Sequence, residues 1–393
     1  MSNRWPGKYV IGLTGNIATG KSVVRKMLEH QGAIGIDADA LSHQALAKGG
    51  PAYAQVLKAF GDWLLGPDGE INRATLGKVV FADPTALAKL ESLVHPVVGQ
   101  AVDFLVKRSQ AKVVAIEAIK LIESGLAKDC DSIWVVNSPE AMQVLRLINK
   151  RKMPEDEAVQ RIGAQSPQAD KLKAAHVVIT NTGSFEDTWT QVQNAFMKIG
   201  LAAPTATAPA PATPAAAPAP AKPTGSIGER VIKVRRGNPK DANAIAALIK
   251  TVTNGQKNLS RADIMEAFGE KAYMIADWGD EIGGLAGWKV ENLVARVDEF
   301  YILANAPLGK LGPPLVEAVE KAAAELQSEA ALVFVPLPIA QAAAQALAGS
   351  GYVPQVPEKL GVAAWKDAAK ESMPAGHAML FKKLREDRVM KPI

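Results

Sequence analysis

Cysteine is nearly absent from this chain of 393 residues, which has only Cys130. A lone thiol excludes a disulfide framework and a thiolate zinc site, and it suits a reducing compartment such as the cytoplasm. Histidine is scarce too. His30, His43, His95, His176 and His377 are scattered, with no pair at metal-ligand spacing on one helical face. No apolar run approaches the ~20 residues of a membrane span, so no membrane partner is expected. The first residues, MSNRWPGKYVIGLTG, lack a long apolar stretch followed by a small-residue cleavage site, so no export signal is expected. Concentrated charge is also missing. The net charge is +5, but residues 1–201 hold 23 Lys+Arg against 20 Asp+Glu, and residues 228–393 hold 21 against 20. Such an even spread gives no footprint for a phosphate backbone, so a nucleic-acid partner is not expected. A small polyanion fits better.

The chain does have ample material for packed cores: 48% of residues are hydrophobic and 22% are charged. At roughly 150 residues per domain, two or three domains are expected. The boundary is compositional. Residues 202–226 read AAPTATAPAPATPAAAPAPAKPTGS, with 11 Ala and 7 Pro. Proline at this density removes backbone donors and blocks helix, so a solvated, flexible spacer (202–227) is expected to separate two independent domains, 1–201 and 228–393.

In the first unit strand-like and helix-like stretches alternate. Tyr9–Thr14, Ala33–Asp37, Lys112–Ile116, Ser132–Val136 and 175–179 read as strands. Helical patterns fall on Lys21–His30, 51–60, 84–109, 139–150, 154–163 and Phe185–Ile199. Strands separated by helices predict an α/β fold with a parallel sheet covered on both faces. The second unit reads as α+β: a strand at Arg230–Arg235, a helix at Asp241–Thr251 and long strands at 272–277, 281–290 and 294–303. A helix at 313–327, a strand at 331–335 and a helix at 338–348 follow.

Gly15-Asn16-Ile17-Ala18-Thr19-Gly20-Lys21-Ser22 matches G-x-x-x-x-G-K-[ST] between an apolar strand and a helix, the context the motif requires. Glycines let the backbone curl around a phosphate, and successive N–H groups converge at a helix N-terminus. Lys21 is placed to bridge β- and γ-phosphates and Ser22 to ligate Mg²⁺, with Val23 completing the ATP-binding segment. A GTPase would add N-K-x-D; Asn149-Lys150-Arg151-Lys152 lacks the aspartate. A small-molecule kinase needs instead an acceptor carboxylate and a cationic lid. The second strand ends in Asp37-Ala38-Asp39, facing the crevice where ligands of such sheets bind. Asp39 there could accept a hydroxyl proton or cap the following helix, and Asp37 could orient it or touch the metal shell. In the lid segment Gln143, Arg146 and Lys150 share one helical face, and Arg161 and Gln165 share the next.

With these residues in place, the first unit resembles the dephospho-CoA kinase family over residues 8–199. The likeness rests on GLTGNIATGKS, IDADALSHQAL, EINRATLGKVVFADPTALAKLESLVHPVV, the lid segment and HVVITNTGS. It implies a P-loop kinase with a helical lid that uses ATP and Mg²⁺ to phosphorylate the ribose 3′-hydroxyl of dephospho-CoA. It also implies Lys21, Asp39, Arg146 and Arg161 as catalytic, with Asp39 the base. Asp37, Arg73, His95 and Glu123 would stand on the acceptor side, and Asn181 near the adenine. The family's Pro-Leu-Leu-x-Glu segment is here Ala118 to Glu123, keeping the glutamate and losing the proline, and Lys150 stands where the family has a lid arginine. A nucleotide-dependent regulatory protein and another small-molecule kinase are the alternatives.

The second unit is similar, in element order, to GNAT-type acyltransferases. Their pyrophosphate loop, [RQ]-x-x-G-x-[GA], falls on Leu308 to Pro313, and their acid tyrosine falls on Leu347. The likeness therefore implies a fold without acyl transfer, with CoA or a protein as possible ligand.

Overall fold

The computed structural model describes residues 4–200, 230–291, 293–326 and 328–385. The Ala/Pro spacer lies outside the described residues.

The first unit is built on a five-stranded parallel sheet in the order β2-β3-β1-β4-β5. The strands are β1 (Tyr9–Thr14), β2 (Ile34–Asp37), β3 (Val113–Glu117), β4 (Ser132–Asn137) and β5 (Val177–Thr180). β1 and β3 are near-continuous apolar runs, as strands covered on both faces must be. Side chains alternate: Val10, Val114 and Ile116 join one core, and Ile11, Leu13, Val113 and Ala115 join the other. The first core is closed by α2 (Ala38–Leu46), α3 (Tyr53–Phe60), α4 (Arg73–Ala82) and α5 (Pro84–Arg108). The second is closed by α1 (Lys21–His30) and α9 (Phe185–Met197). Between these stand α6 (Glu140–Arg151), α7 (Glu155–Gly163) and α8 (Gln168–Lys173). The lid hairpin α6–α7 packs Leu147, Ala158 and Ile162 onto Ile17 of the glycine loop.

The second unit carries a seven-stranded sheet ordered β11-β12-β10-β9-β8-β7-β6. Its strands are β6 (Ile232–Arg236), β7 (Ala272–Trp278), β8 (Glu281–Glu291), β9 (Val294–Ile302), β10 (Ala330–Pro336), β11 (Val353–Gln355) and β12 (His377–Lys383). All neighbours are antiparallel except β9 and β10, which pair in parallel from Val294–Val297 to Ala330–Val333. Helices α10 (Ala242–Val252), α11 (Arg261–Phe268), α12 (Leu308–Glu325), α13 (Ala340–Ala348) and α14 (Ala363–Ser372) complete it. The expected α+β order holds. The stretch from Leu308 to Pro313, expected as a loop, is instead the start of α12. Leu311, Leu315 and Val316 are fully buried there, and that apolar stripe holds the helix despite Pro313 and Pro314 within it.

The two units touch. Phe268, at the end of α11, packs its ring edge-on to His30 at 5.1 Å. His30 Nε2 lies 3.1 Å from the Phe268 carbonyl oxygen. Burial pushes the His30 pKa down to about 4, the neighbouring Arg236 helping. No described helix is long and apolar enough to cross a membrane.

Candidate active site

The loop from Gly15 to Ser22 joins β1 to α1 as the sequence predicts. Two glycines are obligatory. Gly15 has φ 148°, and a Cβ there would stand 2.5 Å from the Val136 carbonyl oxygen. Gly20 has φ 100° just ahead of α1, where a Cβ would strike the Asn181 amide. Lys21 is buried, its Nζ 3.2 Å from the Asn16 carbonyl oxygen. Burial lowers its pKa, while Glu117, Asp39 and Asp37 act to raise it.

Parallel register brings the carboxylates together. Glu117, the last residue of β3, is the Cα partner of Leu13 on β1 and of Asp37 on β2. It accepts hydrogen bonds from Ser22 Oγ at 2.7 Å and Arg25 Nε at 2.6 Å. Asp37, not Asp39, caps α2: its Oδ1 accepts from the Ala40 N–H at 2.9 Å. Asp39 sits in the first turn with Oδ2 accepting from the Ile119 N–H at 3.2 Å. Burial and then the Asp37 carboxylate push the Asp39 pKa up to about 6. Burial and Glu117 raise Asp37 as well, against the pull of Arg25. A carboxylate with raised proton affinity at the strand ends, next to a phosphate loop, has the chemistry of a general base.

On the other flank Arg146 of α6 donates to the carbonyls of Ala18 (3.1 Å), Thr19 (3.2 Å) and Asn181 (2.8 Å). Asn181 Nδ2 donates to the Thr19 carbonyl at 2.9 Å. Beyond the lid, Gln165 and Gln168 accept from the N–H groups of Ile17 (2.8 Å) and Asn16 (3.0 Å). Their amide oxygens satisfy loop donors.

Four expected site residues make no direct contact with the loop or with Asp39. Arg161 lies on the exposed face of α7, paired with Glu157 at 2.7 Å, because Ile162 takes the buried position beside it. Arg73 is exposed at the start of α4. His95 lines a small separate cleft with Arg4, Ser124 and Asp129. Glu123 is held by the buried Lys171 at 2.8 Å. Glu117 was missed. The strand expected at Lys112–Ile116 stops one residue short of it, and its place beside the phosphate-loop strand was the available signal.

A parallel sheet ordered 2-3-1-4-5, with a phosphate loop on its central strand and carboxylates at neighbouring strand ends, defines a P-loop phosphotransferase. The comparisons narrow the class. The family model described as dephospho-CoA kinase matches residues 9–187. A dephospho-CoA kinase of Geobacter metallireducens is 43% identical over 186 residues, 47% of this chain and 92% of that protein. The solved dephospho-CoA kinase from Campylobacter jejuni is 26% identical, with TM-score 0.36, over 49% of this chain and 97% of its own. A putative acetyltransferase from Salmonella typhimurium, solved with acetyl-CoA, is 11% identical with TM-score 0.31, over 40% of this chain and 95% of its own. The chain belongs to the dephospho-CoA kinase family, the transferases of the final step of coenzyme A biosynthesis, with ATP as nucleotide substrate.

Proposed function

We propose that residues 1–201 carry out this transfer with Asp39 as general base. The observation that carries the reading is the convergence of Lys21, Ser22, Asp37, Asp39 and Glu117 at the strand ends. Asp39 takes the proton of the ribose 3′-hydroxyl of dephospho-CoA as its oxygen attacks the γ-phosphorus of ATP. The bond from the γ-phosphorus to the β,γ-bridging oxygen breaks, and ADP leaves. Lys21 offsets charge on the β- and γ-phosphates, and Arg146 closes the loop from the lid side.

The donor set fits Mg²⁺. Ser22 Oγ and Glu117 Oε1 form a pair of hard oxygens, and no group of three metal-ligating side chains occurs among the described residues. Mg²⁺ is bound by few protein oxygens together with substrate phosphates, so Ser22 and Glu117 would hold it. When bound it neutralises phosphate charge. The ATP substrate and the free, buried Cys130 support a cytoplasmic setting. Residues 228–393 are read as non-catalytic, because Leu311 and Leu347 are core residues where the resemblance places loop glycine and acid tyrosine.

A coupled ADP-release assay with dephospho-CoA, set against nucleoside monophosphates, tests the reading. Turnover with dephospho-CoA, giving 3′-phosphorylated product, is expected. Equal or better turnover of a nucleoside monophosphate would replace it with another small-molecule kinase.

A further inference from the structure

The phosphate loop opens into a cleft of about 920 Å³ that has two owners. Gly20, Ser22, Arg146 and Asn181 of the first unit and Ala262 and Glu266 of α11 all line it. The approach is close and built. A Cβ on Gly269 would stand 3.1 Å from Val23 Cγ1 and 3.1 Å from Phe185 Cε2. Val23 directly follows Ser22, so α11 and the glycine behind it reach the first turn of the phosphate-binding helix. At the far end of that helix, His30 meets Phe268 and Trp189. Charge completes the contact: Lys150 on the lid helix pairs with Glu266 at 2.8 Å, and Arg261 pairs with Glu186.

A nucleoside base bound beside a phosphate loop needs apolar or flat surface on its outer side to exclude water. We propose that the second unit is a working part of the ATP site: α11 forms the outer wall against which the purine nucleoside end of ATP binds. This rests on the kinase reading above and gives the unit without acyl-transfer residues a role in nucleotide affinity. Ala262 is the informative position. It is exposed, faces the cleft and belongs to no core cluster, so enlarging it narrows the site without emptying a core.

The test uses the full chain. Ala262→Trp should raise KM for ATP by roughly fivefold or more, with KM for dephospho-CoA and Tm unchanged. Inhibition by inorganic tripolyphosphate, which has no base, should be unaffected. An unchanged KM for ATP overturns the proposal, as does an equal rise in both KM values or a matching loss of affinity for tripolyphosphate. Calorimetric ATP binding without acceptor reads the same wall. If the parent chain binds ATP but fails to turn over dephospho-CoA, the function reading falls, while the Ala262→Trp binding comparison still decides this one.

Discussion

Replacing Asp39 by asparagine should move activity and stability in opposite directions. Asparagine keeps the size of the side chain and an oxygen for the Ile119 N–H, now 3.2 Å from Asp39 Oδ2. The cap of α2 is untouched, because Asp37 supplies it. What is lost is the ability to take a proton, and a general base contributes roughly 10²- to 10⁴-fold to turnover. Stability follows from linkage. The Asp39 pKa is raised from 3.8 to about 6, so the folded state holds the proton more tightly than the unfolded chain. Between those values stability falls as pH rises, and the cost of ionising Asp39 in place is complete above about pH 6, at most ~3 kcal/mol. Asparagine never pays it. The variant should therefore melt like the parent near pH 4 and higher than the parent at pH 8.

Two measurements decide the matter: steady-state turnover with ATP and dephospho-CoA, and thermal melts of both proteins from pH 4 to pH 8. For the parent, kcat/KM should rise with pH along a limb near 6, the ionisation of Asp39 in the free enzyme. Near-normal turnover in Asp39→Asn would refute the base assignment and pass the role to Asp37. A lower melting temperature at pH 8 would refute the electrostatic account and show that Asp39 is held by more than one backbone N–H.

Lys21→Ala should cut turnover by at least several hundredfold with the fold intact, read by ADP release and circular dichroism. Glu117→Gln keeps shape but loses charge beside Ser22. It should lower turnover by about a hundredfold or more and raise the Mg²⁺ concentration needed for half-maximal rate, in a magnesium titration. His30 has its pKa lowered to about 4 from 6.5, so its stabilising effect is whole above pH 6.5 and lost as pH falls towards 4. That limb amounts to about 3 kcal/mol, and His30→Gln should flatten it in pH-dependent denaturation.

The sheet of the first unit was legible because its strands are near-continuous apolar runs between helical patterns. Tyr9–Thr14 and Lys21–His30 match their elements to the residue. The phosphate loop was legible because its glycines are forced by backbone geometry. Glu117 was not, since a carboxylate ending an apolar strand also reads as the first residue of a loop. Only pairing with β1 and β2 gives it a place. The exposed place of Arg161 was hidden for a related reason: helical periodicity says which residues share a face, and the packing of Ile162 with Ile17 decides which face turns inward. In the second unit α11 escaped notice although Ser260 and Asp263 form a capping box that announces it. Eight residues carry too short a periodic pattern to be read alone.

The charges of the site explain why ATP and a divalent cation should stabilise the fold together. Lys21 is buried with its pKa lowered, and Asp37 and Asp39 are buried with theirs raised. Each group is held where its charged form is disfavoured. Arg25 relieves part of this for Asp37, its guanidinium lying 3.8 Å from Asp37 Oδ2. The rest is relieved by ligands: phosphates lend Lys21 a partner, and a divalent cation lends one to the carboxylates. A ligand that binds only the folded chain stabilises it in proportion to the logarithm of its concentration over Kd. ATP with Mg²⁺ should therefore raise the melting temperature more than the sum of the two added singly, because each removes a penalty the other leaves in place. Additive shifts would mean that Lys21 and the carboxylates already neutralise one another, and that the raised Asp39 pKa comes from burial alone.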